Sequence, residues 1–371
     1  MFSADDHRYM AQALQLAERG LYTTDPNPRV GCVLVKDNVI VGEGWHERAG
    51  EGHAEVHALQ QAGEQAKNAT AYVTLEPCSH HGRTAPCCDA LIDAGVNRVV
   101  VAMQDPNPQV AGQGLARLQQ AGVEVECGLM QVQAEAINPG FLMRMREGRP
   151  YVRCKLAMSL DGRTAMASGE SQWITAEAAR QDVHCLRARS SAIVTGIGTV
   201  RHDDPSMTVR LTDDDGQYGA SPLRVVLDSQ CQMSAKAKIL SGQLTPTRVM
   251  TLNADTPQAE DLRAAGAEVV AVSANNGKID LAAMLKQLAD DDRNEVMLEA
   301  GTGLSGAMLQ AGLIDEFVIY MAPTLMGDSA RGLLSLPGLE KMADRIDLEI
   351  NDIRAVGRDW RITAKPVYKN S

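Results

Sequence analysis

Aromatic side chains are scarce in this chain of 371 residues, with three Trp, seven Tyr and three Phe. Basic charge is short as well: the net charge is −11, and acidic side chains outnumber basic ones in both halves. Polynucleotides are held in basic grooves and on aromatic platforms, so a nucleic-acid partner is not expected. No apolar run approaches the roughly 18 residues of a membrane span. The opening MFSADDHRYM is polar and acidic, unlike a secretion signal, so the cytoplasm is the expected compartment and no membrane partner is expected. No repeat of fixed period is visible.

What is present is the balance of a globular protein, 44% hydrophobic and 22% charged, in a chain long enough for two domains. Residues 5–19 carry apolar positions at helical spacing, and VGCVLVKDNVIVGEG predicts two strands turning at Asp37-Asn38. Beyond them HAEVHALQQAG, CCDALIDAG and GLARLQQAG predict helices, alternating with strands in ATAYVTLEP, RVVVAM and VEVECG. Such alternation implies an α/β layer with a mostly parallel second half. The charged stretch MRMREGRP, Met143 to Pro150, marks the domain boundary, giving expected domains 1–146 and 150–371. Past it, YVRCKLAMSLDG, AIVTGIG, LRVVLDS, RVMTLNA, EVVAVSA, VMLEAG and EFVIYMAPTLMG predict strands, with helices at 175–189, 280–289 and 304–312. A second, larger α/β domain follows.

Of the eight cysteines only Cys78, Cys87 and Cys88 cluster, and without a secretion signal such a cluster points to metal or catalysis. His53-Ala-Glu55, then Pro77-Cys78, then Cys87 supply three ligands suited to Zn²⁺ and leave a fourth position open. His53 and Cys87 are expected at helix starts, where the positive dipole end favours a thiolate. Glu55 is not needed as a ligand and is placed to take a proton from an attacking water and hand it to a leaving amine. That is deaminase chemistry. Cys88 points about 100° from Cys87 on a helix, so Cys87 is the preferred ligand. His57 is read as structural, because H-A-E-V-H is not the H-E-x-x-H of zinc peptidases. Two other readings use the same elements: a deaminase acting on a base in RNA, which the acidic charge opposes, and a closed structural zinc site with His80, His81 or Cys88 as fourth ligand.

The commonest deaminase pattern has two residues between its cysteines; here eight separate Cys78 from Cys87. With that spacing, TDPNPRVGCVLV, GEGWHERAGEGHAEVHAL, AYVTLEPCSHHGRTAPCCDALI and MQDPNPQVAGQG resemble the deaminase half of the bifunctional riboflavin-biosynthesis deaminase/reductases. KLAMSLDGRTAMASGESQWIT, TGIGTVRHDDPSMTVR and EAGTGLSGAMLQAGLIDE resemble the reductase half, so the likeness covers nearly the whole chain. It implies a cytidine-deaminase-like three-layer α/β/α domain followed by a dihydrofolate-reductase-like α/β domain. The implied activities are zinc-dependent deamination of 2,5-diamino-6-ribosylamino-4(3H)-pyrimidinone 5′-phosphate, then NADPH-dependent reduction of the ribosyl group. A homo-oligomer, dimer or tetramer, is implied too.

The same resemblance assigns Asn27, His46, Arg83, Asp105 and Asn107 to the deaminase substrate, with Arg83 toward phosphate. It assigns Ser171, Arg187, Met207, Arg210 and Glu299 to the reductase substrate. Ala157, Trp173, Thr199, Asp203 and Ser229 fall to the nicotinamide cofactor. Gly301-Thr302-Gly303-Leu304-Ser305-Gly306, with Ala307, matches G-x-G-x-x-G at a strand-to-helix turn whose amides suit a pyrophosphate, although a plain helix-start turn has the same glycines. Lys155, on the first strand of the second domain, is the candidate to bind phosphate or polarise the sugar carbon.

Overall fold

The structure is a computed structural model, described for all residues except 80–85, 108–109, 212–218, 220, 242–245 and 370–371. The chain divides into two compact units between Arg149 and Pro150, with Gly219 counted in the first. Among the described residues, no helix is long and apolar enough to cross a membrane.

The first unit runs α1 (Ala4–Glu18), β1 (Gly31–Lys36), β2 (Val39–Trp45), α2 (Ala54–Ala62), β3 (Thr70–Val73), α3 (Cys87–Asp93), β4 (Arg98–Val101), α4 (Gln113–Gln120), β5 (Glu124–Cys127), α5 (Gln131–Ile137) and α6 (Pro139–Glu147). Its sheet has the order β2-β1-β3-β4-β5. The pairs β1–β2 and β1–β3 are antiparallel, and β3–β4 and β4–β5 are parallel. Alternate side chains of a strand face opposite ways, and here both ways are covered. Val33, Val35, Tyr72 and Val100 pack against α1, α5 and α6, whereas Cys32, Leu34, Ala71, Val73, Val99 and Val101 pack against α2, α3 and α4. Apolar residues on both faces of short strands thus produce three layers.

The seating of α2 is close. Its buried face is the alanine stripe Ala54, Ala58 and Ala62. A Cβ on Gly44 would stand 2.3 Å from the Ala54 carbonyl oxygen, and one on Gly42 2.2 Å from that of Ala58. Backbone lies on backbone, with no side-chain layer between helix and strand.

In chain order the strands of the second unit are β6 (Tyr151–Ser159), β7 (Arg163–Ala165), β8 (Ala192–Gly196), β9 (Leu223–Leu227), β10 (Thr247–Thr251), β11 (Ala267–Ala271), β12 (Ala274–Asn275), β13 (Lys278–Ile279), β14 (Glu295–Leu298), β15 (Glu316–Ala322), β16 (Arg331–Gly332), β17 (Asp347–Val356) and β18 (Asp359–Val367). Its helices are α7 (Glu177–Ala188), α8 (Ile197–Asp203), α9 (Pro257–Ala264), α10 (Leu281–Asp290) and α11 (Thr302–Gln310). Nine strands form one sheet, β11-β10-β9-β8-β14-β6-β15-β18-β17. It is parallel from β11 to β15, and β18 and β17 extend it as an antiparallel hairpin. Val152, Cys154, Val194, Val225 and Leu298 face α10 and α11, and Ile193, Val226, Val249, Met297 and Val318 face α7 and α9.

The structure adds elements that the sequence pattern does not announce. The charged stretch from Met143 forms the last turn of α6 up to Glu147, and Gly148 ends it in the left-handed region (φ 66°). In β17 the apolar residues alternate, but nearly every side chain is exposed, so its apolar face is not covered within the described chain. Helix α11 begins at Thr302, two residues before the expected 304, and takes in most of the glycine-rich turn.

Candidate active sites

In the first unit His53 is the N-cap residue of α2, and Cys87 is the first residue of α3. Cys78 lies in the connection that follows β3. His53 Nδ1 is 3.2 Å from Cys87 Sγ and 3.6 Å from Cys78 Sγ, and the Cys87 amide donates to Cys78 Sγ at 3.3 Å. All three ligand atoms lie within 4.8 Å of one another. Tetrahedral zinc with ordinary Zn–N and Zn–S bonds puts nitrogen and sulfur about 3.5 Å apart, so this donor set fits the ion. Among the described residues no other His, Cys, Asp or Glu joins the cluster.

Charge is unevenly shared between the two thiols. Cys78 is brought down to about 4, first by the hydrogen bond from the Cys87 thiol, against the upward push of its burial. Cys87, holding that proton and buried, is pushed far up. Glu55, one residue into α2, is buried, and burial raises its carboxyl. It lies against Cys87. A carboxyl whose burial favours its neutral form is thus fixed beside the metal position.

His46 and Asn27 line up next to this cluster. The His46 ring meets the His53 ring edge-on, with centroids 5.5 Å apart. Its Nδ1 is 3.0 Å from the Gly52 carbonyl oxygen, which can only accept, so the proton sits on Nδ1. Nε2 then accepts from Asn27 Nδ2 at 3.0 Å. Burial lowers the His46 pKa and keeps the ring neutral. Two residues past Asn27 the backbone is fixed by Asn138, which accepts from the Arg29 amide and donates to the Arg29 carbonyl. Asp105 accepts from the Asn107 amide at 2.8 Å and closes a turn after β4. Arg83 lies outside the described residues, as do His80 and His81, the two histidines offered for a closed zinc site.

In the second unit Ala157, Thr199, Ser229, Glu299 and Gly301, among the residues expected to meet substrate or cofactor, lie at or just past the carboxyl ends of β6, β8, β9 and β14, where open α/β sheets bind ligands. Glu299 follows β14 directly and stands level with Lys155 of β6, one step beyond the Leu298–Cys154 pair. Arg187 of α7 grips Glu299 with Nε to Oε1 at 2.6 Å and Nη2 to Oε2 at 2.9 Å, and its Nη1 donates to the Thr208 carbonyl at 2.9 Å. Burial pushes Glu299 up, but Arg187, with Lys155 and His184, outweighs it and holds the carboxyl at about 2. Burial lowers Lys155 against the pull of Glu299. Arg210 is exposed, and its backbone amide donates to His184 Nδ1 at 3.1 Å.

Several assignments take a different form in three dimensions. Met207 has φ 50° and a buried side chain packed in the core, so a ligand could meet only its backbone. Gly301 caps α11, its amide donating to Thr199 Oγ1 at 3.2 Å, and Gly303 faces open space. Ser305 and Gly306 are buried, and a Cβ on Gly306 would stand 2.0 Å from the Ser335 carbonyl oxygen. That glycine serves packing. Leu304 is half-buried and packs against the core, while Thr302 is half-buried and Ala307 exposed on the same helix. Ala157 lies two residues beyond Lys155 on the same face of β6. Trp173 is 70% exposed, with the Arg180 guanidinium 4.9 Å from its ring, and Ser171 is half-buried two residues before it. Asp203 ends α8 and accepts from His202, and the Ser229 carbonyl accepts from Thr251 Oγ1.

The family model for the cytidine and deoxycytidylate deaminase zinc-binding region matches residues 3–103, and that for the RibD C-terminal domain matches residues 150–362. The riboflavin biosynthesis protein RibD of Escherichia coli (strain K12) is 55% identical over 364 residues, covering 95% of this chain and 97% of its own. The chain belongs to the RibD family. RibD of Haemophilus influenzae is 48% identical over 98% of both chains. The structure of Acinetobacter baumannii RibD, form 1, superposes with a TM-score of 0.91 at 48% identity, covering 98% of this chain and 99% of that one. A Thermotoga maritima diaminohydroxyphosphoribosylaminopyrimidine deaminase/5-amino-6-(5-phosphoribosylamino)uracil reductase follows at 0.85 and 30%, over 98% and 99%. Like other RibD proteins, this is a two-activity enzyme of riboflavin biosynthesis, a zinc-dependent deaminase joined to an NADPH-dependent reductase. Its units are cytidine-deaminase-like and dihydrofolate-reductase-like, as the sequence motifs imply.

Sequence reasoning missed two residues. Glu76, buried just ahead of Pro77-Cys78, could have been flagged as a charge at the end of an apolar strand, which burial obliges to find partners. His184 is buried in α7 three residues before Arg187, and its helical spacing from that arginine was the available signal.

Proposed function

We propose that the first unit hydrolyses the 2-amino group of 2,5-diamino-6-ribosylamino-4(3H)-pyrimidinone 5′-phosphate, and that the second reduces the ribosyl group of the product to an open ribityl chain. The observation that carries the reading is the convergence of His53 Nδ1, Cys78 Sγ and Cys87 Sγ beside the buried carboxyl of Glu55. His53, Cys78 and Cys87 would hold zinc, which supplies a Lewis acid for the attacking water. Glu55 takes the proton of that water and delivers it to the departing amine, so that water and substrate become the uracil and ammonia. Asn27 keeps its amide oxygen as an acceptor while its nitrogen is occupied by His46. That oxygen, with Asp105 and Asn107, reads the donor edge of the pyrimidine, and Arg83 is assigned to its phosphate.

Ala157, Trp173, Thr199, Asp203, Ser229 and the amides from Gly301 to Gly303 would hold NADPH, which would supply a hydride for C1′ in the second step. Lys155 donates the proton that O4′ needs when the C1′–O4′ bond opens. The negative charge of Glu299 favours the charged form of Lys155 against its burial. Three of the five N–H groups of Arg187 are held by Glu299 and the Thr208 carbonyl, and the phosphate is shared between its remaining donors and those of Arg210 and Ser171. Incubating the protein with zinc, NADPH and the diaminopyrimidine should release ammonia and consume NADPH in equal amounts; release of neither defeats the reading.

A homo-oligomer is part of the proposal. The sheet ends in β17, a ten-residue edge strand with Leu348, Ile350 and Ile353 each at least 44% exposed. An edge of that length and apolarity favours cover by a second copy. Sedimentation giving only the mass of one chain at micromolar concentration would refute it. The eight cysteines are all free, which suits the reducing cytoplasm.

A further inference from the structure

Immediately before the metal-bearing Pro77-Cys78 turn, Glu76 is 4% exposed and uses both carboxylate oxygens on backbone amides of a distant segment. Oε2 accepts from Asp105 at 3.1 Å and Gly112 at 2.9 Å; Oε1 accepts from Gly114 at 2.9 Å and Leu115 at 3.4 Å. Gly112 is the N-cap residue of α4 and has no side chain to cap it, so Glu76 does so from outside. The approach requires glycine at 114, where a Cβ would stand 2.2 Å from the Pro77 carbonyl oxygen. The Glu76 amide also donates to the Met103 carbonyl at 3.0 Å, joining the ends of β3 and β4. One side chain therefore ties the turn carrying Cys78 to the turn carrying Asp105 and Asn107.

We propose that Glu76 is the positioning residue of the deaminase, fixing the pyrimidine-reading turn at Asp105–Asn107 relative to the metal-bearing turn. The proposal rests on the reading that Asp105 and Asn107 face the pyrimidine. A carboxylate is required because four N–H groups converge on it. The isosteric amide keeps one accepting oxygen and turns an NH₂ toward the other pair, donor against donor. Glu76→Gln must therefore release either Asp105 and Gly112 or Gly114 and Leu115, and substrate grip is lost before the metal is.

The test uses the full-length protein, with zinc content, ammonia-release kinetics and NADPH consumption on 5-amino-6-(5-phosphoribosylamino)uracil measured side by side. Zinc content reports whether the first unit has folded, and the reductase is the control on the second. Glu76→Gln should raise KM for the diaminopyrimidine about 10- to 100-fold, with zinc retained and the reductase unchanged. Glu76→Asp, which keeps the charge and both acceptors, should recover part of that loss. A merely structural role would lower the active fraction and hence apparent kcat, leaving KM alone. An unchanged KM in both variants overturns the proposal, as does zinc loss in step with activity while the loaded remainder keeps its KM. Should Glu76→Gln not fold, the KM of Glu76→Asp decides alone. Asn107→Ala tests the pocket reading separately. If it is silent while Glu76→Gln raises KM, Glu76 stands and Asn107 is misassigned; the reverse pattern removes Glu76 and keeps the pocket.

Discussion

Replacing Arg187 by Met would leave Glu299 buried at the reductase site without its two-pronged partner. The side chains are 13% and 11% exposed, so solvent screening weakens the pair little. Glu299 sits at about 2 against an ordinary 4.5, and at about 1.4 kcal/mol per pKa unit the difference amounts to roughly 3 kcal/mol of stability. Because the burial penalty remains once the guanidinium is gone, the loss belongs to the class of broken buried pairs, about 3–5 kcal/mol. For a unit of this size, 3 kcal/mol lowers Tm by about 6–12 °C. The assay is a calorimetric melt of the full-length protein, the transition of the second unit falling and that of the first holding still. A depressed carboxyl stabilises fully above its unfolded pKa and ceases to do so as pH falls through its folded value. The deficit should therefore be full at pH 7 and shrink between pH 4.5 and about 2. Adding Glu299→Gln to the variant should restore much of the melting temperature by removing the stranded charge. A single variant melting within about 2 °C of the parent, or no recovery in the double one, would refute the account.

Glu55→Gln should keep its zinc and its reductase rate while ammonia release falls about 10²- to 10⁴-fold; zinc loss in that variant would make Glu55 a structural element. Removing zinc with a chelator should abolish ammonia release and spare reduction of the aminouracil. Reloading the metal should expel the proton kept by Cys87, visible as a binding enthalpy that changes with buffer. Gly306→Ala should cost the second unit about 1–3 kcal/mol, since its Cβ would meet the Ser335 carbonyl at 2.0 Å. Gly303→Ala has open space and should leave Tm alone while weakening NADPH binding; equal melting of the two variants would contradict the packing role of Gly306.

The metal cluster was legible in the sequence because His53, Cys78 and Cys87 are rare residue types at element boundaries, where local pattern is most informative. Layering of the first unit was legible too, since strands such as GCVLVK are apolar at successive positions and must be covered twice. Less visible was anything decided by pairing across the chain. Nothing near Arg187 in sequence says that Glu299, more than a hundred residues on, will occupy its guanidinium. Met207 looks like a loop residue beside Arg210, yet its side chain turns into the core. Strand β17 alternates apolar and polar residues but buries almost nothing within its own chain, so its partner is not written locally.

The glycine seat under α2 has an evolutionary side. A helix resting on side chains can be nudged by half an ångström whenever a core residue changes size, and enzymes drift toward new substrates by such nudges. Here Gly42 and Gly44 meet the Ala54 and Ala58 carbonyls with no side chain to exchange. Along β2 the helix that begins after His53 and carries Glu55 cannot be retuned from beneath; only its packing on Cys32, Leu34, Ala71 and Val73 leaves side chains to exchange. With that edge fixed backbone to backbone, variation in what the deaminase accepts falls more readily to the turns around Asn27 and Asp105.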